Sequence, residues 1–309
     1  MPIEILQTHK LLDSCEAALA KRYTVHKLHE AADRDALLAE VGGTVRAIAG
    51  GAVDGALMDR LPKLEIIANF GVGYDSIDTA AARARNIRVT NTPNVLNDAV
   101  AEIAIGLMIA LARRIPQADQ FVRQGKWLKG TYAFATELNG KTLGIVGLGR
   151  IGKEIAVRAQ AMKMRIVYHG RKRKPDEPFV YYDKLADMAR DADWLLIIAP
   201  GGKGTDKIVS REVLTALGPE GYIVNMARGT LIDEAAMVEM LVSGKLGGAA
   251  LDVFEKEPHV PEALFALDNV VLSPHQGSAT RQTRDKMGAL VVANLEAHFA
   301  GEVLPSAVV

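Results

Sequence analysis

The chain is short of cysteine, of net charge and of long apolar runs, and each shortage excludes a class of protein. Cys15 is the only cysteine among 309 residues, so a disulfide framework and a thiolate metal site are excluded, and we expect no bound metal. Lys and Arg number 37, as do Asp and Glu, and this balance gives no electrostatic basis for binding nucleic acid. With no signal segment and no membrane-spanning apolar run, we expect a cytoplasmic protein without a membrane partner.

Alternating strand and helix patterns predict an α/β protein. A chain of 309 residues exceeds the size at which one core keeps growing, so two domains are expected. Six strand patterns in the second half, resuming at Lys141, match the count of a complete doubly wound fold. The first half has four strand patterns separated by helical ones, which indicate a smaller parallel-sheet domain: Ile3–Leu6, Val45–Ala49, Leu64–Asn69 and Ile87–Thr90.

Three further segments connect these patterns. One long helix is predicted from about Asp98 to Arg123, as a crossing between domains. The segment from Gly125 to Asn139 has no clear period, and we interpret it either as a covering loop or as a contact with a partner subunit. A last helical pattern, from Thr280 to Phe299, has the length to return to the first domain.

A glycine-rich turn in the stretch KTLGIVGLGRIG follows an apolar strand and opens a helix. Gly147, Gly149 and Gly152 have the G-x-G-x-x-G spacing of a dinucleotide site. In such a site Gly147 permits the tight turn, Gly149 lets the backbone approach a pyrophosphate, and Gly152 lets the helix pack closely on the strand. The helix N-terminus adds unpaired N–H groups and a positive dipole.

Three polar residues follow strands of the second half: Arg228 in NMARGT, Glu257 in LDVFEKEP and His275 in LSPHQGS. The carboxyl ends of parallel strands meet at one edge of the sheet, so these side chains should converge. Reduction of a carbonyl by hydride needs a proton donor, a cation that polarises the carbonyl, and a group that orients the donor. His275, Arg228 and Glu257 suit these roles in that order.

The chain resembles the D-isomer-specific 2-hydroxyacid dehydrogenases, and within them the glyoxylate, hydroxypyruvate and hydroxyphenylpyruvate reductases. The resemblance covers nearly the whole chain, through GVGYDSID, VTNTPNVLNDAVAE, GIVGLGRIG, NMARGTLIDE, GGAALDVFEKEP and SPHQGS in that order. It implies reduction of small 2-oxo acids, extending to phenylpyruvate-type acids, to D-2-hydroxy acids. It also implies a homodimer and two doubly wound parallel-sheet domains: a flavodoxin-like substrate-binding domain at 1–97 and 280–309, and a Rossmann-type cofactor domain at 98–279.

The same resemblance assigns roles to individual residues. His275 would be the general acid and base, oriented by Glu257, while Arg228 would grip the 2-oxo acid. The amides of Val72 and Gly73 would hold the substrate carboxylate. The cofactor would be bound by a larger set that includes Asp252, expected on the nicotinamide carboxamide: Gly147, Gly149, Arg150, Ile151, Gly152, Gly170, Arg171, Lys172, Ala199, Thr205, Ala227, Asp252 and Gly277.

The segment after the strand at Met164–Tyr168 predicts a preference for NADP(H). An NAD site normally has an acid about 20 residues past the first glycines, where it accepts from the ribose 2′-hydroxyl. Here no acid occurs before Asp176. Gly170 leaves room for a 2′-phosphate, and Arg171 with Lys172 can supply charge-assisted hydrogen bonds to it. We expect NAD(H) to be accepted as a weaker cofactor.

Two alternatives keep the same fold. Some relatives act as nucleotide-sensing corepressors that bind peptide motifs, but the extended tails expected of such adaptors are missing here. D-3-phosphoglycerate dehydrogenase usually has an added regulatory domain, for which there is no room after Thr280.

Overall fold

The computed structural model describes residues 2–202 and 204–309; Met1 and Lys203, the latter in the glycine-rich loop after Ala199, lie outside the described residues. The chain forms two compact units. Unit 1 runs to Leu96 and includes Ser278–Val309, and unit 2 is Asn97–Gly277. No helix of the described ranges is both long and apolar enough to cross a membrane.

In its described residues, unit 1 has a five-stranded parallel sheet with helices on both faces. The strands are β1 (Glu4–Gln7), β2 (Thr24–Lys27), β3 (Ala47–Ala49), β4 (Ile66–Ala68) and β5 (Arg88–Thr90). The helices are α1 (Asp13–Ala20), α2 (Arg34–Val41), α3 (Gly55–Asp59), α4 (Thr79–Ala84) and α11 (Arg281–Ala300). The strand order β2-β1-β3-β4-β5 is the flavodoxin-like order, so the predicted class of this sheet is confirmed.

The sheet of unit 1 is buried on both faces, as a doubly wound sheet requires. Leu6, Ile48 and Ile67 belong to the core on one face. Their strand neighbours Ile5 and Ile66 belong to the core on the other face, with Leu295 of α11. The helix packs closely on α1, because a Cβ atom added to Gly288 would lie 2.7 Å from the Cβ of Cys15.

Unit 2 has a larger parallel sheet, of seven strands over its described residues. They are β6 (Thr142–Val146), β7 (Arg165–His169), β8 (Val180–Tyr182), β9 (Trp194–Ile197), β10 (Tyr222–Asn225), β11 (Gly248–Leu251) and β12 (Val270–Leu272). The helices are α5 (Asn97–Ala112), α6 (Ile115–Arg123), α7 (Arg150–Ala161), α8 (Leu185–Asp191), α9 (Arg211–Leu217) and α10 (Glu234–Val242). The order β12-β11-β10-β9-β6-β7-β8 is the Rossmann order with a seventh strand, which confirms the predicted class.

The sequence prediction missed one strand in each sheet, so the expected counts of four and six are wrong. The missed strands, β2 and β8, are edge strands. All four residues of β2 are only half-buried, and β8 is three residues long between Pro178 and an exposed Asp183. Neither β2 nor β8 has a buried residue, unlike the mostly buried strands that the apolar patterns identified.

The single helix predicted from Asp98 to Arg123 is also wrong, because the chain forms α5 and α6 with a break between them. Pro116 has no N–H to donate to the carbonyl of Ala112, and Arg114 adopts a left-handed φ of 52°. The carbonyl of Ala112 instead accepts from the N–H of Thr136 at 3.1 Å. The helix break therefore anchors the irregular segment that follows it.

Candidate active site

The glycine-rich turn between β6 and α7 has the geometry that the motif requires. Gly147 has a φ of 100°, and a Cβ atom there would lie 2.7 Å from the backbone of Ala199. A Cβ atom at Gly152 would lie 2.5 Å from the carbonyl oxygen of Gly147. Any larger residue at either position would push the turn away from α7 or from the chain after β9.

The same turn leaves room for a ligand above the sheet. A Cβ atom added to Gly149 or to Gly170 would meet no atom of residues 2–202 or 204–309 within 4 Å. Gly149 precedes α7 and has no side chain that could cap the helix, so among the described residues no side chain caps the first N–H groups, including those of Arg150 and Ile151. Open space and uncapped N–H groups at a helix N-terminus fit the pyrophosphate of a dinucleotide.

Arg228 lies on the loop after β10, and hydrogen bonds from the last residue of β10 fix the conformation of this loop. The side chain of Asn225, the last residue of β10, accepts from the N–H of Ala227 at 3.1 Å and donates to the carbonyl of Arg228 at 2.9 Å. One guanidinium nitrogen of Arg228 donates to the carbonyl of Ala227 at 2.7 Å. Next to it, Gly229 is in such close contact with the backbone after β11 that a Cβ atom would lie 1.9 Å from the carbonyl carbon of Phe254.

Glu257 and His275 form a hydrogen-bonded pair at the carboxyl edge of the sheet of unit 2. Nδ1 of His275 lies 2.7 Å from Oε2 of Glu257, and the other carboxylate oxygen accepts from the N–H of Phe254 at 3.1 Å. Because the carboxylate holds Nδ1, Nε2 is the ring nitrogen left to exchange a proton. The His275 side chain is 50% exposed, so a substrate can reach it.

Asp252, directly after β11, organises the loop that carries His275. Its buried carboxylate accepts three hydrogen bonds: from the hydroxyl of Ser273 at 2.6 Å, from the N–H of Gln276 at 2.7 Å and from the N–H of Gly277 at 2.8 Å. The N–H of His275 donates to the carbonyl of Asp252 at 2.8 Å. These bonds hold His275 at a left-handed φ of 53°, which is unfavourable for a residue with a Cβ atom.

The predicted carboxylate receptor lies in unit 1, on the loop after β4. Asn69 donates to the carbonyls of Gly71 and Gly73 at 3.0 and 2.9 Å, and Asn91 donates to the carbonyl of Val72 at 2.9 Å. Within residues 2–202 and 204–309, no acceptor is found for the N–H groups of Val72 and Gly73. The carbonyl groups of this loop are already hydrogen-bonded, whereas two of its N–H groups have no acceptor among the described residues. The loop is therefore suited to bind an anion.

The other predicted cofactor residues lie on the loops at the carboxyl edge of the sheet of unit 2. Thr205 uses its hydroxyl within its own loop, where it donates to the carbonyl of Pro200 at 2.8 Å. Arg171 and Lys172 are exposed after β7. The cofactor contacts of this set stay predictions. Across the described ranges, no group of three His, Cys, Asp or Glu residues could hold a metal ion.

Sequence reasoning missed the buried polar residues that shape these loops: Asn69, Asn91, Asn225 and Ser273. Each is nearly or partly buried and hydrogen-bonds to loop backbone or to Asp252. Asn69 and Asn225 could have been found from one signal, a polar amide at the carboxyl end of an otherwise apolar strand, because such a buried group must find partners.

Residues 105–277 match the family model for the D-isomer specific 2-hydroxyacid dehydrogenase, NAD binding domain. The chain is 46% identical to glyoxylate/hydroxypyruvate reductase A of Arabidopsis thaliana, and the match covers 99% of each chain. It is 47% identical to hydroxyphenylpyruvate reductase of Plectranthus scutellarioides, with 95% of each covered. Among solved structures, it superimposes with a TM-score of 0.95 and 43% identity on the NADPH-dependent glyoxylate/hydroxypyruvate reductase of Sinorhizobium meliloti, in complex with NADP and malonate, over 100% of this chain and 97% of that one.

Proposed function

The chain belongs to the D-isomer specific 2-hydroxyacid dehydrogenase family, and from this premise we propose that it reduces small 2-oxo acids, such as glyoxylate and hydroxypyruvate, to D-2-hydroxy acids. The observation that carries the proposal is the 2.7 Å contact between Nδ1 of His275 and Glu257. It leaves Nε2 of a half-exposed side chain to exchange a proton, at the edge of the sheet where a dinucleotide fits. A histidine oriented in this way can donate the proton that carbonyl reduction requires.

Each member of the catalytic group then has one task. His275 donates the proton from Nε2 to the carbonyl oxygen as the oxygen becomes negative. Glu257 keeps the proton of His275 on Nδ1 and stabilises the charged ring. Arg228 polarises the carbonyl and pairs with the carboxylate, which its planar guanidinium can do with two parallel hydrogen bonds.

Two backbone N–H groups of unit 1 are the proposed receptor for the substrate carboxylate. The N–H groups of Val72 and Gly73 would hold the substrate carboxylate, since their loop already has its carbonyls tied by Asn69 and Asn91. This division makes unit 1 the substrate-binding domain and unit 2 the cofactor domain. Two observations support this division. The backbone N–H groups of Val72 and Gly73 lie in unit 1, and the glycine-rich turn lies in unit 2.

The cofactor supplies the hydride, and we propose that NADPH is preferred over NADH. Gly149 and the N-terminus of α7 would hold its pyrophosphate. The relative from Sinorhizobium meliloti is NADPH-dependent and was solved with NADP. In this chain, Gly170 leaves open space after β7, and the exposed Arg171 and Lys172 beside it can pair with a 2′-phosphate.

An initial-rate panel tests the proposal. Glyoxylate, hydroxypyruvate, pyruvate and phenylpyruvate are each reduced with NADPH and with NADH, and the product is resolved on a chiral column. We expect D-products and a higher kcat/KM with NADPH, with the NADPH advantage reduced in a variant that combines Arg171→Ala and Lys172→Ala. L-products, or no turnover of any 2-oxo acid, would refute the function.

The same panel separates this proposal from the alternatives, neither of which the reductase relatives favour. A corepressor-type protein would bind the nucleotide without turnover. A D-3-phosphoglycerate dehydrogenase would oxidise phosphoglycerate faster than it reduces glyoxylate.

We also propose a homodimer formed through the region around α6. Its large apolar side chains are exposed, with Trp127 at 69% and Leu128 at 92%. Light scattering should give twice the chain mass, and Trp127→Glu should shift the protein to monomer. Val180→Glu, at an exposed valine of β8, is the matched control. A wild-type monomer would contradict the proposal.

We also propose a cytoplasmic location, where reduced nicotinamides are kept. Cell fractionation tests this location.

A further inference from the structure

Residues 170–174, which follow β7 and include four cations, form a basic loop. A buried tyrosine is hydrogen-bonded to the last residue of this loop. Tyr168 is 1% exposed, and its hydroxyl accepts from the N–H of Lys174 at 2.8 Å and lies 3.4 Å from the carbonyl of the same residue. A buried phenol requires a hydrogen-bond partner, and the backbone of Lys174 provides both a donor and an acceptor. The tyrosine therefore determines where the loop ends.

The side chain of Lys174 joins this loop to the glycine-rich turn. Its ammonium donates to the carbonyl of Leu148, which lies between two glycines of the dinucleotide motif. A second tie follows three residues later, where Glu177 pairs with Lys153 of α7. The loop after β7 and the turn after β6 are thus fixed to each other by direct contacts.

Three cations lie between the end of β7 and Lys174, before these contacts. Within the described ranges, Arg171, Lys172 and Arg173 make no side-chain hydrogen bond or ion pair, and all three are exposed. Exposed cations on a glycine-containing loop lose conformational entropy when they bind a phosphate. That loss is smaller when the ends of the loop are already fixed.

We propose that Tyr168 and Lys174 are positioning residues that set the preference for a 2′-phosphorylated cofactor, because they fix the loop of cations relative to the turn for the pyrophosphate. The proposal rests on the NADPH preference proposed above. The covalent structure of the cofactor limits the distance between its 2′-phosphate and its pyrophosphate. A protein that holds its two phosphate sites at a fixed separation gains affinity through preorganisation.

Binding of two nucleotide fragments, followed by calorimetry, tests the role. Adenosine 2′,5′-bisphosphate contains the 2′-phosphate, and AMP does not. Tyr168→Phe removes only the hydroxyl, and Lys174→Met removes only the ammonium. We expect each variant to raise the Kd for the bisphosphate about tenfold, and the Kd for AMP less than about twofold.

Two matched control variants distinguish loss of the contacts made by Tyr168 and Lys174 from a general loss of stability. Tyr182→Phe removes a hydroxyl that donates to Asp191 at 2.8 Å rather than to the basic loop, and Lys184→Met removes an exposed ammonium of the same unit. Both should keep the wild-type ratio of the two Kd values. If Tyr168→Phe does not fold, Lys174→Met decides.

The outcomes separate this proposal from the function on which it rests. A wild type that binds the bisphosphate no better than AMP would overturn the NADPH preference and the positioning role together. A wild-type preference that survives in both variants would overturn only the positioning role. An equal loss of affinity for both nucleotides would mean that the two residues only stabilise the fold, and would also overturn it.

Discussion

Replacing Asp252 by asparagine tests whether the loop of His275 depends on a buried carboxylate. Asparagine can keep the two hydrogen bonds on one oxygen, from Ser273 and Gln276. Its amide NH₂ would then face the N–H of Gly277 across 2.8 Å, donor against donor. Loss of one charge-assisted bond, together with an unpaired buried N–H, costs about 2–4 kcal/mol.

We expect urea unfolding of the cofactor-free Asp252→Asn protein to show this loss of stability. We also expect kcat to fall roughly ten- to 100-fold, because a proton donor displaced by a fraction of an ångström transfers less efficiently. Ser273→Ala, which removes one of the three donors, should have a smaller effect on both. Wild-type stability and kcat in Asp252→Asn would refute the reasoning. Wild-type stability with weakened NADPH binding would instead support the predicted contact with the nicotinamide carboxamide.

Three further predictions use single substitutions. His275→Ala should lower kcat about 10²–10⁴-fold while NADPH affinity, followed by fluorescence, stays near wild type. Arg228→Lys should raise KM for the 2-oxo acid and lower kcat, since lysine cannot make paired hydrogen bonds; an effect on cofactor affinity alone would contradict its role. Although burial opposes it, hydrogen bonds from Lys27 and Gln7 hold the pKa of Glu16 at about 2, below its ordinary 4.5. The advantage of wild type over Glu16→Gln in unfolding free energy, at most about 3 kcal/mol, should be complete above pH 4.5 and vanish as the pH falls toward 2.

Features whose partners lie nearby in the chain could be predicted from the sequence. The positive φ of Gly147 and the close approach of Gly152 to the carbonyl of Gly147 both lie within one turn and the start of α7, and the spacing and the geometry agree. The placement of Arg228, Glu257 and His275 at one edge depended only on recognising three consecutive parallel strands. The register of those strands places their carboxyl ends side by side, with Asn225 opposite Leu251.

Features decided by distant partners could not be predicted in this way. The break before Pro116 was signalled by the proline, but the anchoring of the segment after it depends on the N–H of Thr136. The hydrogen bond from Asn91 to the carbonyl of Val72 spans 19 residues, and nothing local to either residue indicates it. Edge strands such as β8 form because a neighbouring strand offers hydrogen bonds, not because their own pattern requires burial.

One arrangement recurs in three of the loops assigned a role here. A buried polar side chain at the carboxyl end of a rigid strand fixes an exposed loop: Asn69 fixes the loop of Val72, and Asn225 that of Arg228. Asp252 does the same for His275. The sheet core leaves such a side chain few alternative positions, since each hydrogen bond it lost would leave a buried polar group unpaired. The precision of the site therefore comes from residues that need not touch substrate, and their substitution should lower kcat without changing which acids are reduced.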